Sequence, residues 1–305
     1  MTEPQSRCGF VALIGEPNAG KSTLLNQMVG SKVAAVTHKV QTTRARLRGI
    51  AVHNQAQIVF VDTPGLFQPR RRLDRAMVAA AWAAVDDADV TLVLIEAHRG
   101  LTEGVERILA TLDEHATTKP IALVINKIDR VRRDSLLALV AELTARRDFA
   151  ETFLISAETG DGVDALRDWL AGSLPIGPWH YDEDQIADAP MRSIAAELTR
   201  EKLTLRLHQE LPYQLTVETE EWTERKDGSV RIDQVILVAR DGHRGIVLGK
   251  RGETIKAVSM EARADLSALL GRRVHLFLTV KSRPNWQNER ERYDQIGLDF
   301  RDGET

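Results

Sequence analysis

Residues Gly15 to Ser22 read GEPNAGKS, which has the spacing G-x-x-x-x-G-K-[ST]. Between a strand and a helix, such a run curls backbone N–H groups around phosphate oxygens, reaches them with a lysine and offers a hydroxyl to magnesium. Gly15 and Gly20 permit the curl, and Asn18, Ala19 and Thr23 complete the set expected to face the nucleotide. Lys21 is expected at the β and γ phosphates and Ser22 at the magnesium.

This loop alone does not separate adenine from guanine nucleotides; three later motifs do. DTPG, Asp62 to Gly65, ends an apolar run, so Asp62 can reach magnesium through a water and the Gly65 N–H can sense a γ phosphate. NKID, Asn126 to Asp129 with Lys127 inside it, ends another. A carboxylate at Asp129 can accept from both guanine N1–H and the exocyclic amine, a donor pair that adenine lacks. SAETG follows the next run, with Ser156 in the turn and the Ala157 N–H expected to meet the guanine carbonyl. Four motifs at successive strand ends imply GTP and GDP as ligands, with magnesium.

Catalysis is incomplete at one position. Leu66 follows DTPG where Ras-type GTPases carry the glutamine that orients the attacking water. A leucine cannot hold that water, so hydrolysis by the protein alone is expected to be slow. Between the P-loop and DTPG runs the polar VTHKVQTTRARLRGI, the position of a first switch. Thr42 and Thr43 both qualify as the threonine that reaches magnesium and γ phosphate.

The elements that must position these residues are legible as well. GFVALI, QIVFVD, VTLVLI, PIALVIN and TFLIS read as buried strands separated by helical patterns, the signature of a mostly parallel α/β sheet covered on both faces. From Leu174 the stretch LPIGPWHYDEDQIADAP breaks the periodicity. The expected division is a nucleotide-binding domain over 1–178, a linker over 179–190 and a small α+β domain over 191–305. In the last, an amphipathic helix precedes two strands joined at Lys226 to Gly228, then a short helical turn, GKRG, a long helix from Glu253 to Leu270 and the strand VHLFLTV. This order fits a type II KH domain. Its G-x-x-G loop, Gly249 and Gly252 around Lys250 and Arg251, lets a sugar-phosphate backbone approach closely, and Ile246, Val247 and Ile255 are expected to floor the groove under the bases.

The totals agree. With 41 basic and 44 acidic residues the net charge is -3, so the whole chain does not advertise a polyanion partner, although charge can be unevenly placed. One cysteine, Cys8, makes no internal disulfide, and the opening MTEPQSRCGF lacks the basic and apolar regions of a signal peptide. A reducing, cytoplasmic setting is the expectation, with peripheral membrane contact left open and a monomer as the simplest state. A metabolic P-loop kinase does not fit NKID, and a plain RNA scaffold would bind RNA equally with and without GTP.

GEPNAGKS, VQTTR, DTPGL, NKID, SAETG and GKRG in this order resemble the Era family of ribosome-associated GTPases, over nearly the whole chain. The resemblance implies that the KH domain binds single-stranded RNA near the 3′ end of small-subunit ribosomal RNA during maturation of the small ribosomal subunit, with nucleotide state gating the contact. It favours Thr43, which precedes Arg44, as the switch threonine. GTPases with a hydrophobic residue after DxxG and an asparagine in the P-loop often bind potassium beside the phosphates, so Asn18 is expected to be a potassium ligand.

Overall fold

The computed structural model describes residues 5–37, 39, 47–69, 72–115, 118–208, 210–284, 286, 289, 290 and 300. Contacts divide the chain into two compact units, one from 1–31, 43–188 and 295–305, the other from 32–42 and 189–294.

The first unit is a six-stranded sheet. Its strands are β1 (Arg7–Gly15), β2 (Leu47–His53), β3 (Ala56–Asp62), β4 (Val90–Glu96), β5 (Ile121–Asn126) and β6 (Glu151–Leu154), in spatial order β2-β3-β1-β4-β5-β6. All pairings are parallel except β2 with β3. Four of the five apolar runs form the central strands because both faces are covered, and β3, β4 and β5 are buried along their whole length, whereas the fifth, TFLIS, forms the edge strand β6 and, contrary to expectation, is only partly buried. Helices α1 (Lys21–Val29), α2 (Arg72–Asp87), α3 (Glu103–Glu114), α4 (Arg133–Arg146) and α5 (Val163–Ser173) complete the unit. β2 lies where the sequence suggested only polar loop. It is an edge strand hydrogen-bonded to β3 in register Leu47↔Asp62 to His53↔Ala56, and its burial is mixed, so it lacks the unbroken apolar signal of its neighbours.

Residues expected to form a linker are partly built into this unit. Gln57, fully buried in β3, donates to the Tyr181 carbonyl at 2.8 Å and accepts from the His180 and Tyr181 amides at 2.9 and 3.0 Å. Ile50 N–H donates to Ile186 O, and Asp188 N–H to Arg48 O, both at 2.9 Å. Contacts accordingly group the residues up to Asp188 with the first unit. A buried glutamine must find partners for its amide, and this segment supplies them.

The second unit contains α6 (Met191–Arg206), β7 (Leu215–Glu224), β8 (Val230–Val238), α7 (Asp241–Leu248), α8 (Glu253–Leu270) and β9 (Val274–Ser282). Its sheet order is β7-β8-β9, with β7 antiparallel and β9 parallel to β8. The parallel pair requires the α7–α8 crossover, and that crossover carries the GKRG loop. Leu203, Val217, Ile236, Val238, Val247, Val258 and Val280 make its core. Residues 32–37 and 39 pack here too. Lys32 Nζ sits 2.7 Å from both Glu201 and Asp265, and Glu201, 3% exposed, also accepts from Val36 N–H at 3.0 Å. Lys202 joins both acids; burial opposes its charge, but its bonds to Asp265 and Glu201 prevail and raise its pKa.

Candidate functional site

The nucleotide site is assembled at the carboxyl ends of β1, β3, β4 and β5, where strand order reverses around β1, the usual ligand crevice of an open α/β sheet. The P-loop leaves β1 at Gly15 and enters α1 at Lys21, so the helix amides and dipole point into the curl. Asn18 adopts φ 68° and Gly20 φ 98°. A side chain on Gly20 would lie 2.1 Å from Asn126 Nδ2, so the close approach of P-loop and base loop excludes any other residue there.

Lys21 is 6% exposed, and its ammonium donates to the carbonyls of Gly15 and Glu16 at 3.1 Å. Burial lowers its pKa from 10.5 to about 8, against the pull of Asp62 and Glu16. The folded state therefore resists the charged form. At pH below 8 the destabilisation is complete, and stability is recovered as pH rises from about 8 to 10.5, where the unfolded chain still holds the proton. Relative to the parent, Lys21→Met should be more favourable for the stability of the nucleotide-free protein at pH 7 than at pH 10, by on the order of 2–3 kcal/mol. Urea unfolding across pH checks this, and an equal effect at pH 7 and pH 10 would contradict it.

Ser22 Oγ donates to Asp62 Oδ2 at 2.8 Å, bringing together a hydroxyl and a fully buried carboxylate. Hard oxygen donors of this kind suit magnesium, so Ser22 would ligate the ion directly and Asp62 through water; when bound it would neutralise phosphate charge. DTPG lies against the P-loop: Leu66 N–H donates to Gly15 O at 3.0 Å, and Gly65 abuts Pro17. The Leu66 side chain is 6% exposed and packs in the main core cluster with Ile14, Ile95 and Leu109. It is a core residue, far from a role in holding water. Thr42 and Thr43 lie outside the described residues.

In the base loop Asn126 is 1% exposed and fully engaged. It donates to Ala19 O at 2.8 Å and accepts from Lys127 N–H at 2.8 Å and Ala157 N–H at 2.9 Å. The Ala157 amide, expected to face the guanine carbonyl, here donates to Asn126 and ties the SAETG turn to the NKID loop. Ser156, also buried, closes that turn by accepting from Thr159 N–H at 3.2 Å. Asp129 stands in the short turn Ile128–Arg130 with its carboxylate partly exposed. Thr23, in the first turn of α1, is half-buried.

In the second unit the GKRG loop joins α7 to α8, with Gly249 at φ 75°, Arg251 at φ 53° and Gly252 at φ 78°. Lys250 and Arg251 are exposed beside the α8 N-terminus. Of the apolar residues expected to floor a groove, Ile255 is half-buried, but Val247 is fully buried in the core and presents no surface. Ile246, 58% exposed, instead lines a pocket of about 320 Å³ with Arg206, His208, Glu210, His243 and Thr254. Helical spacing explains the split, since adjacent positions in α7 face about 100° apart and only one of the pair can face the sheet. Leu248 and Leu278, which were not anticipated, are half-buried and, like Ile255, pack against the core of this unit.

A P-loop with a guanine-type base loop, on a sheet of this order, and a βααβ unit with a G-x-x-G crossover define the class: a guanine-nucleotide switch protein carrying a type II KH module. Residues 10–127 match the family described as 50S ribosome-binding GTPase, and residues 210–287 match the KH domain. The chain is 70% identical over 299 residues to GTPase Era of Dinoroseobacter shibae, covering 98% of this chain and 97% of that one. It is 58% identical over 297 residues to GTPase Era of Mesorhizobium japonicum, covering 97% and 95%. Among solved structures it resembles a point variant of Aquifex aeolicus Era bound to GDP·AlF4⁻, with TM-score 0.89, 36% identity and coverage of 95% and 99%. It equally resembles Era in complex with MgGDPNP and nucleotides 1506–1542 of 16S ribosomal RNA, with TM-score 0.89, 35% identity and coverage of 96% and 99%. The chain belongs to the Era family. It is a GTPase that takes guanine nucleotide with magnesium, as the motifs implied.

Proposed function

We propose that this protein is a GTP-driven switch that holds single-stranded RNA near the 3′ end of small-subunit ribosomal RNA and assists maturation of the small ribosomal subunit. The observation that carries the reading is the GKRG crossover, exposed and positively charged between two helices, in the same chain as a guanine-nucleotide site. A solved relative was captured with MgGDPNP and a 3′ fragment of 16S ribosomal RNA, which supports the same partner.

The nucleotide would be held by Gly15, Asn18, Ala19, Gly20, Lys21, Ser22 and Thr23 at the phosphates and by Asn126, Lys127 and Asp129 at the base. RNA would lie along Gly249, Lys250, Arg251, Gly252 and Ile255. The segment running into Thr42 and Thr43 gives a covalent route for coupling. Its residues 32–37 and 39 are fastened inside the KH unit, with Lys39 donating to the Thr204 and Leu207 carbonyls at the end of α6. When a γ phosphate orders the switch threonine, tension on this segment would bias the KH unit.

GTP can drive RNA binding only through different affinities of the two states. A 3′-end RNA oligonucleotide should therefore bind the GTP-analogue form at least about tenfold more tightly than the GDP form, a difference of about 1.4 kcal/mol. Equal affinities by fluorescence anisotropy at several salt concentrations would refute the coupling.

Leu66 cannot hold the attacking water, and potassium held by Asn18 would accelerate hydrolysis by stabilising transition-state charge instead. Turnover should be faster in potassium chloride than in sodium chloride at equal ionic strength; identical rates would remove potassium from the mechanism.

A further inference from the structure

Lys127 adopts a left-handed backbone, φ 63°, inside the base loop. Its stem runs back beside the P-loop, where Lys127 Cε lies 4.0 Å from the position a side chain on Gly20 would take. The ammonium ends on Glu96 Oε1 at 2.7 Å. Glu96 is the last residue of β4 and only 8% exposed, so its desolvated carboxylate has to be matched by a partner. His98 Nε2 lies 3.2 Å from the same oxygen.

The chain beyond Glu96 makes a second attachment. Arg99 and Gly100 N–H groups turn back onto the Glu96 carbonyl at 3.0 and 3.1 Å. Thr102, the N-cap of α3, then accepts from Val105 N–H at 3.1 Å while its hydroxyl donates to Glu16 Oε2 of the P-loop at 2.8 Å. Ala97 N–H also donates to Asn126 O at 2.8 Å. One short loop, 96–102, therefore grips the phosphate loop at Glu16 and the base loop at Asn126 and Lys127.

We propose that Glu96 is a positioning residue for the guanine nucleotide: its carboxylate holds Lys127 stretched across Gly20 and so keeps the base loop in register with the phosphate loop. The inference rests on the assignment of Lys127 and Asp129 to the base pocket. Glu96 acts through Lys127 and does not touch the nucleotide itself. With the carboxylate neutralised, Lys127 loses a charge-assisted hydrogen bond, Asn126 and Asp129 lose a brace, and bound nucleotide escapes faster.

The test is stopped-flow release of a fluorescent GDP analogue from the full-length protein, chased with unlabelled GDP. E96Q should raise the release rate about tenfold, while E96D, which keeps the charge, should lie closer to the parent. In a Lys127→Met background, E96Q should add less than about twofold, because the two residues act as one unit. Thermal unfolding of each variant without nucleotide separates loss of fold from loss of positioning. An unchanged release rate in E96Q, or equal acceleration with and without Lys127, would overturn the proposal. Asp129→Asn in the same assay is the control: if it leaves guanine binding intact, the base pocket itself is misassigned, whereas its collapse alongside a silent E96Q removes only the brace.

Discussion

Asp129→Asn should weaken GTP and GDP binding by on the order of a thousandfold and shift base preference toward xanthine nucleotides. Two charge-assisted hydrogen bonds to guanine N1–H and the exocyclic amine are lost, each contributing about 1.5–3 kcal/mol. An amide in their place offers a donor, which suits the carbonyl that xanthine carries where guanine has its amine. The fold should not suffer, because the Asp129 carboxylate is partly exposed and its neighbour Arg130 sits 3.8 Å away on the surface. Asn126 offers no such clean test. It ties Ala19, Lys127 and Ala157 together from a fully buried position, so its removal would unpick the site and strand buried polar groups at once. Equilibrium titration with guanosine and xanthosine diphosphates decides the matter. Undiminished guanine affinity in Asp129→Asn would mean that another group reads the base.

The second large effect is expected in the KH unit. Gly252→Asp should lower affinity for single-stranded RNA at least about a hundredfold, because it sets a carboxylate where phosphates must approach and cancels the neighbouring Lys250 and Arg251. The two glycines of the loop are not equivalent for this purpose. A side chain at Gly249 would fall 2.2 Å from Thr254 Oγ1 and 2.9 Å from Thr254 N, so substitution there also disrupts the start of α8. Gly252 meets nothing within 4 Å. Its φ of 78° costs a non-glycine residue roughly 1–2 kcal/mol, partly offset by a negative charge at the N-cap of α8. RNA binding should therefore vanish while the protein remains folded and retains GTP hydrolysis. RNA affinity equal to the parent's would show that the output of the switch does not pass through this loop.

Glu96 lies on a different level from these two. Asp129 and Gly252 belong to motifs whose chemistry is stated by their own residue types, whereas Glu96 is a single acid at the end of an apolar strand. Nothing local marks it. Its part becomes visible only when β4 and β5 pair in parallel, Glu96↔Asn126, and the ammonium of the following lysine swings onto it.

That contrast holds through the molecule. Residue types and spacing sufficed for the phosphate loop, the base loop, four central strands, the long helix from Glu253 to Leu270 and the G-x-x-G crossover, because each rests on a local pattern of spacing, apolar run or obligatory glycine. Leu66 could be excluded as a catalytic group from its side chain alone. Only the folded chain shows that Leu66 belongs to the core, that Val247 is buried while Ile246 is not, and that the Ala157 amide serves Asn126. The same holds for the antiparallel pairing of β2 at the edge and for the residues up to Asp188, held by the buried amide of Gln57 at His180 and Tyr181 and by the β2 backbone at Ile186 and Asp188. These are matters of which partner a polar group or a face finds across a long stretch of chain, and a partner's identity is settled by packing, where no residue carries its own label.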